Sequence, residues 1–188
     1  LSCVDMQLLQ ASEPSSREAI ARFSGCAVAA GGSTSNTASA LCALGVRAAV
    51  LTATGRDVHG AELRRLYAAS GIDLSLLLEI DDVSTSLAVL PVFDAGGRGC
   101  WVDLSANDRL TPPTLLAAMR SAPAESTLRS TAALHIGYPH LLRSLQGAAL
   151  RTFIDEGAAV LQAASGIAPL ISVDCNGATL GAAADADG

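Results

Sequence analysis

The sequence contains no lysine: all twelve of its basic residues are arginine. That excludes a phosphate-binding loop of the Walker A type, whose lysine reaches the terminal phosphates of a nucleotide. It excludes Schiff-base chemistry for the same reason. A biased base composition of the gene is enough to explain it. Aromatic residues make up only 3% of the chain, the formal net charge is −6, and no basic cluster offsets it. Nucleic-acid binding rests on neutralised phosphates and stacked bases, so no nucleic-acid partner is expected. No charge-free apolar run is long enough to span a bilayer, and the mean hydropathy of +0.40 reflects alanine. No membrane partner is expected either. The chain reads as a soluble protein that handles a small molecule.

Cysteine is present but unpatterned. Five residues (Cys3, Cys26, Cys42, Cys100 and Cys175) are odd in number, widely spread and form no Cys-x-x-Cys pair. This is the usage of buried free thiols in a reducing compartment, and it points to the cytoplasm. His59, His135 and His140 match no metal-ligand spacing, and no metal site is expected. Half of the 188 residues are hydrophobic, enough for one well-buried domain. The chain opens on "LSCVD", in mid-strand and without an initiator methionine, and closes on "LGAAADADG". A fragment is the expectation.

Short apolar segments alternate with longer helical patterns, the signature of an α/β fold. Strands are predicted at 1–4, 26–30, 48–54, 132–137 and 170–174. A helix is predicted over 36–44 and stopped by Gly45; a second is capped by Asp57, buries Leu63, Leu66 and Tyr67, and ends at Gly71. Helices are also predicted from "TPPTLLAAMRSA" and over about 145–164. Residues 84–93 and 99–104 have strand composition and are joined by "DAGGRG", which predicts a flap on the edge of the main sheet.

The segment "AVAAGGSTSN" strips bulk from the start of a helix. Gly31 and Gly32 let a ligand approach a helix N-terminus, where backbone N–H groups lack partners and carry partial positive charge. Asn36 adds an amide that both donates and accepts, which suits a polyhydroxyl ligand. The plainer alternative is an ordinary capped helix with Ser33 or Thr34 as N-cap.

Reading on, Ala38, Gly45, Gly55 and "TGRDVHG" follow Asn36 in an order that resembles the first signature of the ribokinase-like (PfkB-type) carbohydrate kinases. "LSCVD" resembles the end of that family's first strand, "SLAVLPVFD" its lid, "SANDRLTP" the segment after the lid, and "ALHIGYPHLL" and "ISVDCNG" two following strands. The resemblance implies a three-layer α/β fold with a central, mostly parallel sheet and a small β lid. It divides the chain into core with substrate loop (1–83), lid hairpin (84–104) and continued core (105–188). It further implies substrate contacts from Asp5, Gly31, Gly32, Asn36, Asn107, Asp174 and Asn176, with Thr85 and Arg98 on the lid. Arg98 meets a substrate phosphate or is a solvated surface charge, the second being favoured. Asp174 and Asn176 are equally suited to capping a turn.

Phosphoryl transfer from ATP with Mg²⁺ to a sugar hydroxyl is the implied activity, with a homodimer formed through the lid. Departures are equally visible. Thr34 stands where sugar kinases commonly carry proline, alanine or glycine, and "AGGSTSN" is similar to the adenosine-kinase loop, which keeps a nucleoside kinase open. Ser105 replaces a glycine. No Gly-Ala-Gly-Asp segment follows Asn176, so the family's catalytic base and ATP site are not supplied, and a non-catalytic member of the fold is a third reading. A dinucleotide-binding Rossmann fold is disfavoured, because no Gly-x-Gly-x-x-Gly opens a helix after a strand.

Overall fold

The computed structural model describes residues 1–176. The chain begins with β1 (Cys3–Ala11) and, after a long loop, β2 (Gly25–Gly31), which runs directly into α1 (Gly32–Ala43). Then follow β3 (Thr52–Gly55), α2 (Val58–Ala69), β4 (Leu77–Ile80), β5 (Leu87–Phe93) and β6 (Trp101–Asp103). The remainder comprises α3 (Pro112–Met119), α4 (Glu125–Arg129), β7 (Ala133–Gly137), α5 (Gly147–Ser165) and β8 (Leu170–Asp174).

The strands form one mixed sheet and two parallel pairs. The mixed sheet has the order β2-β1-β5-β6, with β1 antiparallel to β2 and parallel to β5, and β5 antiparallel to β6. The pairs are β3 with β4 and β7 with β8. Residues Leu1 and Ser2 lie between those pairs. The Ser2 hydroxyl bonds Thr52 Oγ1 at 2.6 Å, and the nitrogen of Leu1 bonds the Gly137 carbonyl at 3.4 Å.

Local signals account for several element ends. Asp57 caps α2 by accepting from the Gly60 N–H at 2.7 Å, and the helix ends before Gly71, whose φ of +72° suits glycine. Thr111 caps α3, with proline in its first turn. Gly166, at φ +77°, closes α5. Two apolar clusters form the core. The larger packs Leu115, Leu116 and Met119 of α3 against Phe153 and Leu161 of α5 and Ile136 of β7. The smaller gathers Val4, Ala38, Val50, Leu63, Tyr67 and Ile72, so α1 and α2 cover the Val4 face of β1.

Three expectations change. The first strand, expected over 1–4, starts at Cys3 and continues through Ala11. The flap is not a separate hairpin: β5 pairs with β1 from Leu87 to Leu90 opposite Val4 to Gln7, so the lid sheet has four strands and is rooted in the core. Finally, β4 was not anticipated, because "LLEI" is too short to show a period.

Candidate functional site

The site grows from the crossing of β1, β2 and α1. On β1 the register sets Cys3 opposite Gly31 and Asp5 opposite Ala29, so Asp5 and Gly31 share a face of the sheet. The Asp5 carboxylate lies directly on the Cα of Gly31, and a Cβ there would overlap it. Gly32 has φ +81°, and a Cβ on it would stand 2.6 Å from the Leu1 carbonyl oxygen. The two glycines therefore have separate causes: one yields space to a carboxylate, the other adopts a left-handed backbone.

Gly31 is the N-cap of α1, and no side chain caps the helix. Ser33 and Thr34, the caps of the plainer alternative, are instead inside the first turn. The Thr34 N–H bonds the Leu1 carbonyl at 2.9 Å, whereas the N–H groups of Gly32 and Ser33 have no backbone partner among the described residues. The helix thus offers free donors and a partial positive charge next to the Asp5 carboxylate. Because α1 begins four residues earlier than predicted, Asn36 opens the second turn. A separation of four residues places it on the face of Gly32, and helical side chains tilt toward the N-terminus. Asn36 is exposed, and its amide forms no hydrogen bond among the described residues.

Beneath the glycines lies a buried chain of hydroxyls. Ser35 donates to the Gly31 carbonyl at 2.5 Å and lies 2.7 Å from the Tyr67 hydroxyl. Its single proton being given to Gly31, Ser35 receives the proton of Tyr67. This fixes the carbonyl side of the Gly31–Gly32 peptide toward the core. Burial pushes the Tyr67 phenol above its ordinary pKa, so it stays a donor. Beside the site, burial, followed by the charge of and the hydrogen bond to Asp5, pushes the Cys3 thiol up. The protonated thiol donates to Asp5 Oδ1 at 3.2 Å.

Other predicted residues take different places. Asn107 is fully buried: its Nδ2 donates to the Ser2 carbonyl at 2.6 Å and to Ser86 Oγ at 2.7 Å, and its Oδ1 accepts from the Ser2 N–H. Both its donors are spent on the protein, so it acts as a strut. Thr85 lies outside the lid sheet, buried at the root of β5. Its hydroxyl accepts from the Gly55 N–H at 2.9 Å and donates to Asp57 at 2.7 Å. Arg98 is exposed on the β5–β6 turn and bridges to Val92, four residues along β5 from Ala88, about 13 Å from the level of Asp5.

Asp174 ends β8 opposite Gly137; its carboxylate accepts from the Asn176 N–H at 2.8 Å, and Asn176 has φ +48°. The pair forms a turn cap. It stands one strand from Gly137, on which Ser33 packs so closely that a Cβ would overlap its hydroxyl. The β7–β8 pair thereby approaches the same helix end. Sequence reasoning missed Ser35, Tyr67, Gly137 and Tyr138, the last at φ +54° and bonded through its N–H to the Asp174 carbonyl. Nothing local marks them, since each is defined by a partner distant in sequence. Two surface depressions, of about 480 and 750 Å³, are lined by residues around Asp82, Val83 and Ser84 and share none with the Asp5–Gly31 group.

The fold compares with solved kinases. A ribokinase from Giardia lamblia superposes with a TM-score of 0.70 at 18% identity, over 95% of this chain and 50% of its own. A ribokinase from Arabidopsis thaliana complexed with ribose and ATP gives 0.67 at 17%, over 94% and 51%. A fructokinase from Xylella fastidiosa with bound ATP gives 0.64 at 20%, over 93% and 49%. The fold is ribokinase-like, and the chain spans about half the length of these structures. No curated protein matches the sequence. The pfkB family carbohydrate kinase pattern matches residues 1–171, and the chain belongs to that family.

Proposed function

We propose that this chain supplies the acceptor-binding part of an ATP-dependent sugar kinase. The observation that carries the reading is the Asp5 carboxylate laid on Gly31 at the uncapped N-terminus of α1, with the free Asn36 amide one turn on. Such a set offers an acceptor, backbone donors and a group of both kinds at one helix end, which matches the alternating needs of sugar hydroxyls. Closing the lid sheet over a bound sugar would exclude water, the competing phosphoryl acceptor.

A sugar is favoured over a nucleoside by the composition of the lid. The face of the sheet that carries Asp5 also carries Gln7, Ala27, Ala29, Ala88 and Leu90, whereas Trp101 pairs with Val89 on the opposite face. Phe93 follows Val89 by four residues on that opposite face. The strands thus offer no aromatic slot for a base beside Asp5.

Family membership implies ATP with Mg²⁺ as donor. The residues described here do not fit it: the α1 N-terminus already faces a carboxylate, which repels phosphate, and no group of three His, Cys, Asp or Glu able to hold a metal occurs among the described residues. We assign donor binding and the catalytic base to residues outside 1–176. A catalytically silent member of the family remains the third reading, separated from the kinase by turnover of the full-length polypeptide. The free cysteines fit a reducing compartment such as the cytoplasm, and no helix among the described residues is long and apolar enough to cross a membrane. Incubating the full-length polypeptide with Mg-ATP and a panel of sugars and nucleosides tests the choice. Sugar-dependent ADP formation is expected. Phosphorylation of a nucleoside alone overturns the sugar assignment, and binding without turnover selects the silent member.

A further inference from the structure

The lid face around Asp5 holds a second polar side chain. Gln7 follows Asp5 by two residues on β1, and the register with both neighbouring strands is unbroken from Val4 to Leu8, so the two side chains share a face. Opposite Asp5 stand Ala29 and Ala88; opposite Gln7 stand Ala27 and Leu90. The polar pair therefore forms a stripe along β1 with aliphatic residues on both sides, alanines along β2 and Ala88 and Leu90 along β5. Gln7 is half-buried, and its carboxamide forms no hydrogen bond among the described residues. An amide set in an apolar face forfeits its bonds to water once that face is covered, unless the covering molecule brings partners.

Packing alone does not call for an amide here. Leu90 is buried, and the aliphatic stem of any mid-sized side chain at position 7 would help cover it. Water serves the amide while the face is open, so a ligand that covers it must supply the polar partner instead. Two strand residues span about 6.7 Å, longer than a sugar ring itself, so filling both the Asp5 and Gln7 positions takes a substituent that projects beyond the ring. A compact pentose held by Asp5 leaves the second position unfilled, whereas a longer sugar reaches it.

We propose that Gln7 is a specificity-determining residue of the acceptor site, bonding a hydroxyl of a six-carbon or longer sugar whose other hydroxyls are held at Asp5. The proposal rests on the sugar-kinase reading and extends it from sugars in general to hexose-sized acceptors. Ala27 and Ala29 leave room for the C–H face of such a ligand, and Gln7 supplies both donor and acceptor at its far end.

The test uses the full-length polypeptide as wild type and as Gln7→Leu, which removes the amide and keeps an aliphatic stem over Leu90. Calorimetric titration with D-fructose, D-ribose and adenosine reads binding without turnover, and steady-state kinetics separates KM from kcat. The expected result is that wild type binds fructose most tightly. Q7L then weakens fructose about five- to tenfold, the effect of one lost hydrogen bond, and shifts ribose less than twofold. KM follows the fructose change, kcat is retained and the melting temperature stays within a degree. Equal weakening of fructose and ribose, or no change in either, overturns the role of Gln7 while the sugar-kinase reading stands. Binding of adenosine without either sugar overturns both. Fructose binding without turnover removes the kinase reading, and the Q7L titration still decides the proposal.

Discussion

Gly31 and Asp5 define each other. The carboxylate occupies the volume a Cβ would take, and the glycine gives that carboxylate its place beside free N–H groups of α1. Gly31→Ala forces the carboxylate off the helix end and introduces crowding of the kind that costs about 1–3 kcal/mol. The expected outcome is a lowered denaturant midpoint together with a loss of sugar affinity of about tenfold or more, read by titration. Asp5→Asn, by contrast, should spare stability. At this scale Gly31, Gly32 and Asn36 were legible as a candidate loop because they are close in sequence and chemically distinctive, whereas Asp5, 26 positions before Gly31, was singled out only through the family resemblance. Asn107 was legible as a residue but not in its task, which depends on Ser2, 105 positions away, and on Ser86. Tyr67 was read only as a core residue, since nothing beside it in the chain shows that its hydroxyl reaches Ser35.

Elements differ from their sequence patterns where tertiary contacts replace local ones. Glycine and serine are weak helix formers, so the pattern for α1 begins at Asn36. The observed helix starts at Gly32 because Thr34 bonds Leu1 and Ser33 packs on Gly137. The cap of α2 was legible, since Asp57 precedes the helix with Gly60 three residues on. Its second role was not: the same carboxylate accepts the N–H and the hydroxyl of Thr85, at 2.8 and 2.7 Å, tying α2 to the root of β5. Burial alone would raise the pKa of Asp57, but the bonds from Thr85 and Gly60 hold it below the ordinary carboxylate value. A folded pKa below the unfolded one adds stability above the unfolded pKa, lost as pH falls through the folded pKa. Urea midpoints of wild type and Asp57→Asn should therefore differ at neutral pH and converge below the carboxylate range. A gap unchanged down to strongly acidic pH would show that the charge of Asp57 is not what stabilises this junction.

For the whole molecule, the alternation of apolar and helical segments was enough to foresee an α/β chain, because periodicity survives without knowledge of partners, whereas the flap was read from two strand-like runs joined by a glycine-rich turn. Sheet pairing was not foreseen, since the order β2-β1-β5-β6 joins strands more than seventy residues apart. That pairing brings Asp5 onto the lid and the α1 N-terminus beneath it, and so turns two separate motifs into one surface. The most direct measurement is calorimetric titration of the full-length polypeptide, wild type and Asp5→Asn, with a sugar panel and adenosine in the absence of ATP. Saturable sugar binding by wild type is expected, weakened at least tenfold in the variant, with unchanged melting temperatures. Sugar binding of equal affinity in both proteins, or binding of adenosine alone, would contradict this expectation.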